Sequence, residues 1–225
     1  MTNRRALTIP ALLAASGLCV ATVVFRNHHA GNTFYSFLVW NLALAWIPFL
    51  LALAAYANAR RGNDVATVAL GVLWLLFFPN APYLLTDFIH LQQSQTTPLW
   101  YDALMLASFA WTGLLLAFAS LYLMQMIWQR AVGPVWSWLG VIGALALGSF
   151  GVYLGRFLRF NSWDALVRPR RLAHVIATDL ESPFRDPRLV AALVVLTAGL
   201  TIGYLIVYTA VGTHLELEPE PTSGV

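Results

Sequence analysis

From residue 34 to residue 57 the chain carries 24 residues with no Asp, Glu, Lys or Arg among them. Nothing limits the choice of fold more than this run and its five counterparts, at residues 7–25, 65–78, 103–128, 135–154 and 189–211. About 20 consecutive apolar residues make a helix long enough to cross the hydrocarbon core of a bilayer. Inside lipid, a helix is one of two ways to satisfy every backbone N–H and C=O. The other, a closed barrel, needs many short strands of alternating polarity, and the chain has no such pattern. The fold class is therefore all-α: a polytopic transmembrane helix bundle of about six spans. Residues 1–211 read as a single transmembrane helical domain, and residues 212–225 as an acidic tail expected to be disordered. Charged residues make up 10% of the chain, against about 25% in soluble domains, and they crowd between the apolar runs.

The formal net charge is +3 and the pI about 9.3. A basic pI can mark a nucleic-acid binder. Here all 13 Lys or Arg residues are arginines, placed at the flanks of apolar runs. Nucleic acid is therefore set aside, and the lipid bilayer is the expected partner. With no lysine, Schiff-base chemistry and a lysine-bearing phosphate loop are excluded. Cys19 is the single cysteine, which excludes an intrachain disulfide and a thiolate metal cluster. It reads as a small packed residue, and Ser16 and Leu18 are the wrong neighbours for a lipoprotein signal. The first apolar run is long for a signal peptide and no A-x-A site follows it, so a retained helix is expected. His28 and His29 are adjacent, point to different sides of a helix, and read as part of a solvated loop.

The third run is the irregular one. Residues 65–78 number only 14, too few for a crossing, whereas continuing through Pro79 and Pro82 to Leu85 gives 21. The third helix is accordingly expected to be broken by Pro79 and Pro82. Neither proline has a backbone N–H, and their rings collide with the carbonyls of Leu75 and Phe78 if the helix continues. Asn80 is placed to satisfy carbonyls freed in this way. Beyond the break, Tyr83, Asp87 and His90 follow at helical spacing. Trp100 and Tyr101 read as interfacial anchors, and Asp102 opens the fourth span. Asn41, inside the second span, needs a hydrogen-bond partner and is expected to face other helices. Gly140, Ala144, Gly148, Gly151 and Gly155 form a small-residue face on the fifth span, and Gly199 and Gly203 have GxxxG spacing on the sixth.

Residues 155–188 are the one long polar segment and hold seven of the 13 arginines. Arg156 and Arg159, three apart, continue the helical face of Tyr153; Asn161 and Asp164 follow. Residues 170–180 suit a helix lying along the surface. Six crossings put the connections at 26–33, 79–102 and 155–188 on one side of the membrane. Tyr83, Asp87, His90, Asp102, Arg156, Arg159, Asn161 and Asp164 can then converge. That side has eight arginines against five on the side of the termini, which by the positive-inside rule favours placing it in the cytoplasm. The tight Arg60–Arg61 turn and the first helix argue the reverse, and arginines held in ion pairs weaken the count. Cytoplasmic termini are the orientation expected.

The stretches FFPNAPYLLTDFIHL, WYD and GVYLGRFLRFNSWD, at residues 77–91, 100–102 and 151–164, resemble the hallmark segments of a bacterial inner-membrane family catalogued as domain of unknown function family 1361. The resemblance extends over about residues 34–211. It implies a small multi-pass protein of the bacterial inner membrane and brings with it no activity, cofactor or catalytic residue.

Three functions fit the polar residues. The first is structural or accessory, with Asp87 or Asp102 paired to Arg156 or Arg159 as the core of an ion-pair network. The second is an interfacial membrane enzyme acting on a phosphorylated lipid or isoprenoid. Asp87 and His90 would then serve as metal ligands or as a base and its orienter, and Asp102 as a third oxygen ligand. Arg156 and Arg159 would fork onto a phosphate or anionic headgroup, with Asn80, Tyr83, Asn161 and Asp164 lining the site. The third is a small-solute transporter using the broken helix, Asn41 and the charged mouth. Against it, five of the six spans carry no ionisable residue in their middles. No nucleophile or zincin motif is present, and the sequence names no cofactor.

Overall fold

The computed structural model describes residues 2–91, 97–157, 170 and 187–216. In chain order these form α1 (Thr2–Ala30), a 3-10 turn (Phe34–Ser36), α2 (Phe37–Arg60), α3 (Asp64–Phe77), α4 (Asn80–Tyr83), a 3-10 segment (Leu84–His90), α5 (Leu99–Val132), α6 (Pro134–Phe157) and α7 (Pro187–Glu216). There is no strand among the described residues. Among the described residues, six helical stretches are long and apolar enough to cross a membrane: Leu7–Ala30, Phe34–Arg60, Asp64–His90, Leu99–Val132, Pro134–Phe157 and Val190–Ala210. The all-α bundle of six spans is therefore what forms, and the protein is a multi-pass membrane protein. Arg159, Asn161 and Asp164 lie outside the described residues, as do the proposed surface helix apart from Arg170 and the tail beyond Glu216.

The bundle is built around α5. Its 34 residues span roughly 51 Å at 1.5 Å per residue. Its most apolar window is 61% buried, whereas that of α7 is 11% buried. The central helix is thus a protein-facing core element, and α7 is an edge helix with most of its surface left for lipid. Local sequence sets the turns. Gly62 takes a positive φ of 73° after α2, and the Asn63 side chain caps α3 by accepting the Ala66 N–H at 3.1 Å. Gly133, with φ 89°, ends α5, and Pro134 starts α6 where a missing N–H costs nothing.

The third crossing breaks where the prolines require it. α3 stops at Phe77, the single turn α4 follows, and the chain then tightens into the 3-10 segment. Asn80 does satisfy a freed carbonyl, but it is that of Phe77, at 2.9 Å. The Phe78 carbonyl takes the Ala81 N–H at 3.2 Å, so a turn closed three residues on does the work expected of the Asn80 amide. The small-residue face of α6 receives this elbow. A Cβ on Gly148 would meet the Phe78 ring at 2.8 Å, and one on Gly151 would come within 2.3 Å of Pro79 Cγ. On the other side, a Cβ on Gly113 of α5 would stand 2.5 Å from the Ala81 carbonyl oxygen. Backbone that has lost its helical bonds is thereby enclosed by protein, as membrane depth demands.

The first connection differs from expectation. Residues 26–30 belong to α1 rather than to a loop, because nothing before Gly31, with φ 63°, ends the helix. Arg26 is consequently helical and buried. The GxxxG pair on α7 makes no continuous seam within the described residues: Gly199 has nothing within 4 Å of an added Cβ, and Gly203 faces the Phe118 ring at 3.1 Å.

Candidate functional site

Tyr83, Thr86, Asp87 and His90 are spaced i, i+3, i+4 and i+7, so one face of the third crossing's terminal turns carries all four. That face closes on a single side chain. Arg156, at the last turn of α6, donates from Nη2 to Asp87 Oδ1 at 2.5 Å. It also donates to the Thr86 hydroxyl from Nε at 3.0 Å and from Nη2 at 2.7 Å. Its Nη1 is 3.1 Å from His90 Nε2, and its guanidinium carbon stands 4.3 Å from the centre of the Tyr83 ring. The second carboxylate oxygen of Asp87 accepts from the Asn41 amide of α2 at 3.1 Å. Thr86 can accept twice because its own proton goes to the Tyr83 carbonyl, at 2.7 Å. The Asp87 side chain is 1% exposed and that of Arg156 11%. Two charges so deeply withdrawn from water are tolerable only when paired and further hydrogen-bonded, and each is.

A second ion pair lies at the same end of the bundle. Arg26 of α1 donates from Nε to Asp102 Oδ1, in the first turn of α5, at 3.3 Å, and both residues are buried. Arg26 Nη1 donates to the Asn32 side-chain oxygen, and the Thr97 hydroxyl reaches Asp102 Oδ2 at 3.5 Å. Tyr35 joins the two groups. Its ring lies under the Arg26 guanidinium, 4.6 Å away, and its hydroxyl donates to the His90 carbonyl at 2.9 Å. The Phe34 and Phe37 rings present their edges or faces to the His90 ring, with centroids at 6.5 and 4.9 Å.

The structure thus brings Tyr83, Asp87, His90 and Arg156 together, and the Asn80 amide donates along its own turn to the Phe77 carbonyl. Asp102 belongs to the Arg26 group, so it does not complete a ligand set with Asp87 and His90. Within the described residues no three His, Cys, Asp or Glu residues are grouped to hold a metal. Asp87 and His90 instead both contact the Arg156 guanidinium. Of the two arginines expected to fork onto a phosphate, Arg156 turns its donors inward, onto Thr86 and Asp87, and Arg159 lies outside the described residues. Asn41 is a member of the polar site.

Sequence reasoning missed Arg26, Tyr35 and Thr86. Arg26 reads as loop, although the same parity of crossings that gathers Asp87 and Arg156 also puts it opposite Asp102. Thr86 gives no signal of its own, since threonines on membrane helices commonly bond back to their own turn.

No curated protein and no solved structure matches the chain. One family does, described as Protein of unknown function (DUF1361), over residues 40–205. That interval contains Asn41, the whole broken crossing, Asp102 and Arg156. With this match covering most of its length, the chain belongs to the DUF1361 family of proteins of unknown function.

Proposed function

We propose that this protein has a structural or accessory role in the membrane, and that the Asp87–Arg156 group is the clamp that gives its bundle a fixed shape at one end. One observation carries the reading: both oxygens of Asp87 and the forked donors of Arg156 are spent on each other, on Asn41 and on Thr86. A carboxylate and a guanidinium held in this way tie α2, the broken third crossing and α6 together, and leave neither group poised for an incoming substrate. The enzyme reading would require Arg156 to exchange its internal partners for a phosphate. The transporter reading would require Asn41 to release Asp87.

The membrane is proposed to be the bacterial inner membrane, with cytoplasmic termini. Two of the eight arginines on the loop side, Arg26 and Arg156, are held in buried ion pairs. Leaving them out puts six against five, which cuts the contrary excess from three to one and leaves the Arg60–Arg61 turn and the first helix as the support for cytoplasmic termini.

A double-mutant cycle tests the clamp. Asp87→Asn and Arg156→Gln should each lower stability by about 3–5 kcal/mol, the cost of leaving one member of a buried pair uncompensated. The double variant should be no less stable than either single variant when unfolding is followed in mixed micelles. Additive losses, or folded single variants that abolish a cellular phenotype, would count against a structural role.

A further inference from the structure

The arginines at the two ends of the bundle are held differently. At one end Arg26 and Arg156 are withdrawn from water among acceptors. At the other, where α2 and α5 finish, Arg60, Arg61 and Arg130 are all exposed, and neither ion pair among the described residues includes them. Arg130 is nevertheless fixed in place. Its guanidinium carbon stands 5.3 Å from the centre of the Tyr56 ring, and its Nη2 donates to the Tyr56 hydroxyl at 3.4 Å. A guanidinium has five N–H donors, and among the described residues this is the one hydrogen bond the Arg130 side chain makes.

Tyr56 lies one turn before Arg60 on the same face of α2, roughly 6 Å along the axis. Its ring therefore draws a cation of α5 toward a cation of α2. The helix dipole favours an arginine in either last turn. It gives no reason to bring the two together, because like charges repel until an anion stands between them.

Depth decides which anion. Arg60 and Arg130 stand at the ends of the crossings Phe34–Arg60 and Leu99–Val132, where the hydrocarbon gives way to headgroups. Leu50 and Ala57, seven apart on one face of α2, are exposed and leave lipid-facing surface for acyl chains below Arg60. We propose that Tyr56, Arg60 and Arg130 seat the phosphate of an anionic phospholipid, with Arg61 beside it. Arg130 supplies forked donors and Arg60 a second charge. Tyr56 accepts from Arg130, which leaves its own proton for a phosphate oxygen. The site is at the opposite end of the bundle from the Asp87–Arg156 clamp and does not depend on it.

The acids at this end define the competitor. Asp64, in the first turn of α3, is exposed and belongs to neither ion pair among the described residues. Glu216 closes α7, which runs parallel to α5, since Tyr204 meets Gln125 and Tyr208 meets Gln129. Glu216, Glu218 and Glu220 are thus the anions of the chain itself that the test must separate from lipid.

Native mass spectrometry of the full chain, released from micelles containing phosphatidylglycerol or phosphatidylcholine, makes the measurement. Phosphatidylglycerol should be retained in preference, and excess inorganic phosphate should not displace it. Arg60→Gln and Arg130→Gln should each weaken retention about fivefold, the worth of one arginine beside an anionic surface. Tyr56→Leu keeps every charge but unseats Arg130, and should weaken retention about as much. Should Tyr56→Leu not fold, Tyr56→Phe removes the hydroxyl alone and should weaken it about twofold to tenfold. Equal retention of the two lipids, displacement by inorganic phosphate, or wild-type retention in any of these variants overturns the proposal. Loss in the arginine variants with none in the Tyr56 variants is the pattern of diffuse attraction to a basic surface. Retention that appears only after residues 214–225 are removed identifies the tail as the occupant and overturns the proposal as well.

Discussion

Arg156 shows why a guanidinium, and not simply a positive charge, is needed at the end of α6. Its Nε and Nη2 reach the same threonine hydroxyl, Nη2 also reaches Asp87, and its flat face covers Tyr83. A lysine ammonium is a compact point charge that cannot fork and stack together. Arg156→Lys should therefore keep the ion pair but lose the Thr86 and Tyr83 contacts, lowering stability by about 1–3 kcal/mol, less than Arg156→Gln loses. Chemical unfolding of the three proteins side by side checks the order. Tyr35→Phe removes a hydroxyl that donates to the His90 carbonyl and leaves the ring under Arg26 in place. It should cost about 0.5–1.5 kcal/mol. Asp87 and Arg156 were legible as neighbours because counting crossings gives the side of the membrane. The choice of partner was not legible, because it depends on the lateral order of helices. Four candidate pairings among Asp87, Asp102, Arg156 and Arg159 satisfied the count equally well, and the true partner of Asp102 was an arginine in a stretch that carries no helix-ending signal until Gly31.

At the scale of elements, the broken crossing and the glycines that receive it form one device. Prolines stop α3 early, and the freed turn is accepted where α6 and α5 have no side chain to obstruct it. The proline ring has nowhere to move, so the 2.3 Å approach between a Cβ at position 151 and Pro79 cannot be relieved by a rotamer change. Gly151→Ala should separate α6 from the elbow and cost about 1–3 kcal/mol through overpacking. Gly199→Ala, with open space around the added methyl group, should change stability by less than about 0.5 kcal/mol. Thermal unfolding of the two variants makes the comparison. Both glycines lie in regular small-residue spacings, and the spacing alone does not separate them. What distinguishes them is the neighbour, a rigid ring in one case and, among the described residues, nothing in the other.

For the whole molecule, the length of charge-free windows was enough to read the architecture, because a membrane imposes its thickness on every crossing. The hierarchy of burial was not readable in this way. α5 and α7 are similarly apolar, yet one is the core of the bundle and the other its edge. Where α7 meets the bundle, ring contacts of Tyr204 and Tyr208 with Phe118 and Trp138 are joined by hydrogen bonds, Tyr204 to Gln125 at 2.5 Å and Gln129 to Tyr208 at 3.2 Å, of the kind that join helices where burial itself gives no driving force. The proposed orientation is also a property of the whole chain. In spheroplasts, Trp100→Cys should react with a membrane-impermeant maleimide, and Arg61→Cys only after permeabilisation. The opposite pattern would reverse the assignment of sides.

The clamp also has a history within each molecule as it is made. Asp87 and Arg156 are 69 residues apart, so at about 5–20 residues per second the carboxylate is synthesised roughly 3–14 s before the arginine that neutralises it. During that interval the third crossing has a broken end and an unpaired acid, with α2, Asn41 and, once made, α5 against it but not yet α6. A nascent chain that stops at residue 132 is an incomplete insertion product, and its third crossing should slip from the bilayer or be taken by a protease. Quality control during membrane insertion thus has a defined moment at which to discard this protein, and the arrival of α6 ends it.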